Sequence, residues 1–191
     1  MKILITGCGR SGTGYAAKAL QALGLQVGHE TEGEHGTSDW HAVTWPGDRL
    51  RQYGLILHQV RHPLKVIASW HAVHHTAYDY VEETSPFKIG TSDSMIRRAS
   101  NYWIYWNLLA STISVRTYQL EKLAQDLPGI LAAHGVEGLD WSSLSGVPQD
   151  YNARLNQYKS GGGLTWERVE RDSCHLIPRL KFLADRWGYE G

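Results

Sequence analysis

Residues 7–14 read Gly7-Cys8-Gly9-Arg10-Ser11-Gly12-Thr13-Gly14, and the stretches on either side make this run decisive. Before it, Lys2–Thr6 (KILIT) is a short apolar run closed by glycine, which predicts a buried strand. After it, Tyr15–Leu23 (YAAKALQAL) is rich in Ala and Leu and stops at Gly24, which predicts a helix with a glycine terminator. Leu25–Gly28 predicts a second short strand. Strand, turn, helix and strand in such close order make a βαβ unit, and these units build parallel sheets with right-handed crossovers. In a strand–loop–helix turn, backbone N–H groups and the positive end of the helix dipole converge on one spot suited to an anion. Glycines let the backbone approach the ligand, Arg10 adds a full charge, and the Ser11 and Thr13 hydroxyls can donate. The competing reading is a tight strand-to-helix turn that holds nothing.

The rest of the chain continues the alternation. Leu55–Val60 (LILHQV) predicts a third strand. Pro63 suits the first turn of a helix running through His71. Residues 30–47 read as irregular and acidic, and residues 76–93 as a mobile loop with Pro86 and Gly90. Met95–Ser111 predicts a helix, with Trp103, Trp106 and Leu109 at helical spacing. Ser114–Tyr118 predicts a fourth strand, and Leu120–His134 a helix broken or restarted at Pro128. Residues 137–163 read as loop, and Arg168–Trp187 as one amphipathic helix. The expected fold is therefore a single α/β domain over residues 1–191. It has three layers, α/β/α, around a parallel sheet of about four to five strands, like that of the P-loop NTPases.

Composition narrows the function. The chain has 191 residues, with 19 Lys+Arg against 19 Asp+Glu, so the formal net charge is zero. Neutrality argues against binding nucleic acid through bulk charge. At 42% hydrophobic and 20% charged, the chain matches ordinary soluble proteins. Two cysteines, Cys8 and Cys174, make no disulfide framework and fit a reducing compartment. No apolar run approaches the ~20 residues of a membrane span. The expected location is the cytoplasm.

Two known phosphate motifs fit poorly. Gly7 and Gly12 have the spacing of a Walker loop, but Thr13 stands where its Lys belongs and Gly14 where its Ser/Thr belongs. The third strand ends His58-Gln59-Val60-Arg61, with no acid to hold magnesium. A nucleotide kinase or NTPase remains the alternative, without its cation site. A dinucleotide fingerprint, Gly7-x-Gly9-x-x-Gly12, would need Glu30 as its ribose acid.

A second basic element follows the third strand. Arg61 ends that strand, at the carboxyl edge where open α/β sheets bind ligands, and Ser69 lies inside the next helix. A third comes late, as Tyr158-Lys159-Ser160-Gly161-Gly162-Gly163 and then Trp166. Together these residues resemble the sulfotransferases that use 3′-phosphoadenosine 5′-phosphosulfate. Gly9-Arg10-Ser11-Gly12-Thr13 is similar to that family's 5′-phosphosulfate loop. Arg61 and Ser69 resemble its 3′-phosphate motif, an Arg and a Ser eight positions apart. Lys159-Ser160-Gly161 with Trp166 resembles its C-terminal Arg-Lys-Gly-x-x-Gly-x-Trp segment. Val115–Leu123 resembles its Arg-x-Tyr-Glu-x-Leu stretch, and Gly188-Tyr189 its closing Gly-Tyr.

The resemblance implies transfer of a sulfuryl group to a hydroxyl or amine, with adenosine 3′,5′-bisphosphate as the second product and no metal. The acceptor it implies is a small molecule, a carbohydrate or a peptide. Gly9, Arg10, Ser11, Gly12, Thr13 and Gly14 would hold the 5′ end of the donor. Arg61 and Ser69 would hold the 3′-phosphate, with Lys159, Ser160 and Gly161 adding contacts. The family's base is a Glu or His beyond the second strand, which makes Glu30 the first candidate, His29 the second and Glu32 the third. Glu30 could instead only solvate a loop or pair with Arg10. A non-catalytic nucleotide-binding protein of the same fold also remains open.

Other clusters read more plainly. His71, His74 and His75 share a helix face but have no acid or Cys to complete a metal site. Trp103 and Trp106 are expected in the core, and Trp40 and Trp45 at the acceptor pocket. Cys8 lies in an anion-binding loop, which should lower its pKa, although a structural role is the expectation.

Overall fold

A computed structural model describes residues 1–70, 75–87, 89–90, 93–148 and 163–190. Five strands form one all-parallel sheet: β1 (Ile3–Thr6), β2 (Val27–His29), β3 (Gly36–Ser38), β4 (Leu55–Val60) and β5 (Arg116–Gln119). Their order is β2-β3-β1-β4-β5. The eight helices among the described residues are α1 (Thr13–Ala22), α2 (Gly47–Leu50), α3 (Pro63–Trp70), α4 (His75–Thr84), α5 (Met95–Ile113), α6 (Leu123–Ala132), α7 (Trp166–Ser173) and α8 (Ile177–Arg186).

Strand alternation sorts the core into layers. Ile3, Ile5, Leu55 and Leu57 face α1 and α6, where they meet Ala16, Leu20, Leu123, Leu127 and Leu131. Leu4 points the other way, onto Ala42 and Tyr53. A larger aromatic core joins α3, α4, α5, α7 and α8 around Trp70, Trp103 and Trp106. The two-faced covering is what an all-parallel sheet requires.

Four local expectations change. Residues 30–47, read as irregular, contain β3 and a 3₁₀ turn over Trp40–Thr44. Only residues 30–35 join β2 to β3, although parallel neighbours usually need a dozen or more connecting residues. Glycines permit the tight return: a Cβ on Gly28 would lie 2.0 Å from the Thr31 oxygen, and one on Gly36 1.9 Å from the Ile3 oxygen. Residues 76–93, read as loop, carry α4, which buries Tyr78 and Val81 one helical turn apart. The expected C-terminal helix splits into α7 and α8, with Pro178 in the first turn of α8. There its missing N–H costs nothing, whereas inside one long helix it would clash with the preceding turn. Conversely, α6 runs through Pro128. Leu123, Leu127 and Leu131 form a buried i, i+4 stripe on either side of it. At about 1.5–3 kcal/mol for each buried leucine, that stripe outweighs the ~3 kcal/mol proline penalty.

The chain leaves β1 toward β2 on one side and reaches β4 on the other. Order therefore reverses at the carboxyl ends of β1 and β4, where ligands of open α/β sheets bind. No helix among the described residues is long and apolar enough to cross a membrane.

Candidate functional site

The loop after β1 and the residue after β4 meet at that switch point. Gly12 takes φ 94°, the left-handed region natural to glycine, and turns the chain into α1. No side chain caps α1, and its first turn holds no acid, so the amides of that turn have no side-chain acceptor. Arg10 Nε donates to Ser69 Oγ at 2.8 Å, and the Arg61 guanidinium donates to the Arg10 carbonyl at 3.2 Å. Arg10, Arg61 and Ser69, read from two separate motifs, thus converge. Among the described residues Arg61 forms no ion pair. Two half-buried guanidiniums beside uncapped amides make a positive corner.

The end of β2 closes the other side. Thr13, at the start of α1, places its hydroxyl 3.3 Å from His29 Nε2, and that nitrogen lies 3.6 Å from Glu30 Oε1. The non-glycine residues with left-handed backbone among the described residues are Arg10 (φ 71°) and Glu30 (φ 55°). Such strain costs roughly 1–3 kcal/mol per residue and clusters at functional sites.

Helix α5 fixes the loops, a role the sequence reading missed. Its Tyr102 hydroxyl accepts from the Gly9 amide, and Asn107 Oδ1 accepts from the Cys8 amide at 3.4 Å. Trp103 Nε1 donates to the Arg61 carbonyl at 3.3 Å, and Trp106 Nε1 to the Trp40 carbonyl at 2.8 Å. One helix face thus holds the chain beyond β1, β3 and β4. The available signal was the polar tip of each aromatic, and an Asn standing four residues after Trp103 on an apolar stripe. From the sheet, Gln59 Nε2 donates to the Ser11 carbonyl at 2.9 Å while its Oε1 accepts from Tyr118 at 2.7 Å. The Ser11 hydroxyl itself is buried with no hydrogen-bond partner.

Burial sets the titrating groups here. It pushes the Cys8 thiol up to about 12, overriding the Asn107 hydrogen bond and the Arg61 charge. The expectation of a lowered Cys8 pKa is therefore wrong, because the thiol is sunk in the core, where burial outweighs the neighbouring Arg61 charge. Burial also drives His58 down to about 4, against the Asn107 hydrogen bond that raises it. Tyr102 is raised well above its ordinary value, mainly by burial and in part by the Cys8 and Glu30 charges.

Several candidates lie elsewhere. Glu32 sits at the amino end of the strands, 2.8 Å from Lys2 Nζ and 2.6 Å from the Tyr53 hydroxyl. Burial raises its pKa, but those two hydrogen bonds prevail and lower it. Glu32 is thus a structural acid remote from the loop, because the β2–β3 return carries the chain back along the sheet. Lys65 is engaged by Glu121 Oε1 at 3.2 Å. Trp40 is buried among Trp70, Tyr80, Tyr102 and Trp106, and Trp45 stacks on Tyr53. Trp40 therefore sits in the core, while Trp45 is half-buried beside Tyr53. Trp103 and Trp106 are buried as expected. Gly9 gives its amide to the Tyr102 hydroxyl. Trp166 opens α7 with its ring centroid 6.3 Å from that of His62, beside Arg61. Lys159, Ser160 and Gly161, and the side chains of His71, His74 and His75, lie outside the described residues.

The sheet order, the glycine loop and the paired carboxyl-edge arginines define a P-loop-like α/β fold. No family model and no curated protein matches the chain. Among solved structures, a mouse sulfotransferase, SULT7A1, crystallised in complex with PAP, is similar at a TM-score of 0.54 and 12% identity, over 98% of this chain and 89% of that one. The chain shares its fold with that sulfotransferase.

Proposed function

We propose that the protein, as one domain over residues 1–191, is a sulfotransferase. It moves a sulfuryl group from 3′-phosphoadenosine 5′-phosphosulfate to a hydroxyl or amine of a small-molecule, carbohydrate or peptide acceptor in the cytoplasm. The observation that carries this reading is the convergence of Arg10, Arg61 and Ser69 beside the uncapped start of α1. The fold shared with a PAP-bound sulfotransferase supports it.

The geometry supports the following roles. Arg10 and the amides of Thr13 and Gly14 face the 5′-phosphate and the bridging oxygen, where negative charge grows as the sulfur–oxygen bond breaks. Ser69 accepts from Arg10, which leaves its own O–H to donate to the 3′-phosphate beside Arg61. The unpartnered Ser11 hydroxyl is a further donor that an anion at the loop would satisfy. Lys159, Ser160 and Gly161 add contacts to the nucleotide. The acceptor oxygen or nitrogen attacks sulfur in line, and the leaving phosphate takes the electron pair. The acceptor's proton goes to Glu30, whose Oε1 lies 3.6 Å from His29 Nε2. Catalysis of this kind is positioning plus charge stabilisation.

The test is a screen of sugar, phenol, alcohol and peptide acceptors with isotopically labelled donor, read by mass spectrometry. A labelled sulfate ester or sulfamate is the expected product. Bound nucleotide with no sulfated product from any acceptor would mark a non-catalytic binding protein.

A further inference from the structure

The turn that presents Arg61 is held by a residue from beyond the last helix. The Tyr189 hydroxyl shares its one proton between the Val60 carbonyl at 3.1 Å and Glu121 Oε2 at 2.7 Å. Its ring stands edge-on to His62, with centroids 5.4 Å apart. Tyr189 thus touches both neighbours of Arg61, while Trp103 holds the Arg61 carbonyl. The chain reaches this position because Gly188 turns it at the end of α8, with φ 78°. There the Tyr189 amide closes onto the Ala184 carbonyl at 2.9 Å, and Gln119 Nε2 donates to the Trp187 carbonyl at 2.7 Å. The second Glu121 oxygen is taken by Lys65 at 3.2 Å, so this acceptor of the Tyr189 proton is itself fixed. Tyr189 is only 8% exposed. A phenylalanine would fill the same space, so what the tyrosine adds is an oxygen that reaches β4 and the start of the α6 segment at once.

We propose that Tyr189 is a positioning residue for Arg61. By holding the Val60 carbonyl before Arg61 and packing its ring on the His62 side chain after it, it aims the Arg61 guanidinium at the anion corner and sets how strongly the site reads the nucleotide's 3′-phosphate. The inference rests on the donor proposed above. A side chain's direction follows from the peptide planes that flank it, and a misaimed guanidinium loses its paired hydrogen bonds to phosphate.

The experiment compares two probes that differ by one phosphate, adenosine 3′,5′-bisphosphate and adenosine 5′-monophosphate, by calorimetric titration. In Tyr189→Phe, affinity for the bisphosphate falls about five- to tenfold, the effect of losing one aligned hydrogen bond. Affinity for the monophosphate stays within about twofold on the same reasoning. Glu121→Gln weakens the same anchor without touching the ring. It is expected to move the ratio of the two affinities in the same direction, and it carries the test if Tyr189→Phe does not fold. An unchanged ratio, or a parallel loss for both probes, overturns the inference while leaving the donor reading intact. A wild-type protein that binds the two probes equally overturns both.

Discussion

At the scale of single residues, charge and backbone strain coincide. Arg10 and Glu30 hold left-handed backbone that glycine would adopt freely, and they stand at the ends of the first two strands. Glu30→Gln removes the proposed base while keeping the shape. Turnover is expected to fall at least about a hundredfold, the usual contribution of a positioned base. Affinity for the product nucleotide should stay near wild type. Unchanged turnover would remove Glu30 from the mechanism. The two cysteines give a second test. Cys8 is buried with its thiol pushed up to about 12, whereas Cys174 is exposed. Alkylation of the native protein at pH 8 should therefore add one label, at Cys174, and unfolding should expose the second site. Two labels on the native protein would mean that the loop opens.

At the scale of elements, period and punctuation carried much of the fold. β1, α1, β4 and α5 were legible because apolar runs, glycine stops and helical spacing all agree there. β3 was not legible. It is Gly36-Thr37-Ser38, three buried residues with no apolar side chain, and tertiary pairing between β1 and β2 makes it a strand. Its tight entry gives a sharp contrast between two glycines. Gly36→Ala puts a Cβ 1.9 Å from a backbone oxygen at φ 116°, so a loss above about 4 kcal/mol or failure to fold is expected. Gly129→Ala inside α6 meets nothing within 4 Å and should stabilise by about 0.5–1 kcal/mol. Urea unfolding of both variants checks the pair, and equal effects would contradict the β2–β3 geometry. The tie between β4 and α5 brings pH dependence. His58, fully buried between Asn107 and Thr117, has its pKa held near 4 by burial, against 6.5 when free. The unfolded chain then binds the extra proton first, so the stability from neutral His58 is complete above about pH 6.5 and is lost as pH falls toward 4. The loss approaches about 3 kcal/mol. His58→Gln should flatten the profile in that window, and a profile as steep as wild type would assign the loss to another group.

At the scale of the whole molecule, zero net charge hides an uneven distribution. Residues 1–29 carry Lys2, Arg10 and Lys18 without an acid, while residues 30–48 carry Glu30, Glu32, Glu34, Asp39 and Asp48 without a lysine or arginine. Folding uses these charges differently. Lys2 pairs with Glu32 at the amino end of the sheet, and Lys65 pairs with Glu121. Arg10 and Arg61 are brought together at the carboxyl end, joined through the Arg10 carbonyl and Ser69. Two local motifs signalled that corner, because strand ends and helix starts are marked in the sequence itself. The positioning by Tyr102, Asn107 and Tyr189 was not signalled, since each acts on a backbone group far away along the chain. The most direct test of the anion corner is the stability of the protein against added nucleotide in the absence of magnesium. Adenosine 3′,5′-bisphosphate at a hundredfold over its dissociation constant should stabilise by about 2.7 kcal/mol, read as a rise in melting temperature. No shift with the bisphosphate, together with a shift for ATP and magnesium, would contradict the account and point to a nucleoside triphosphatase.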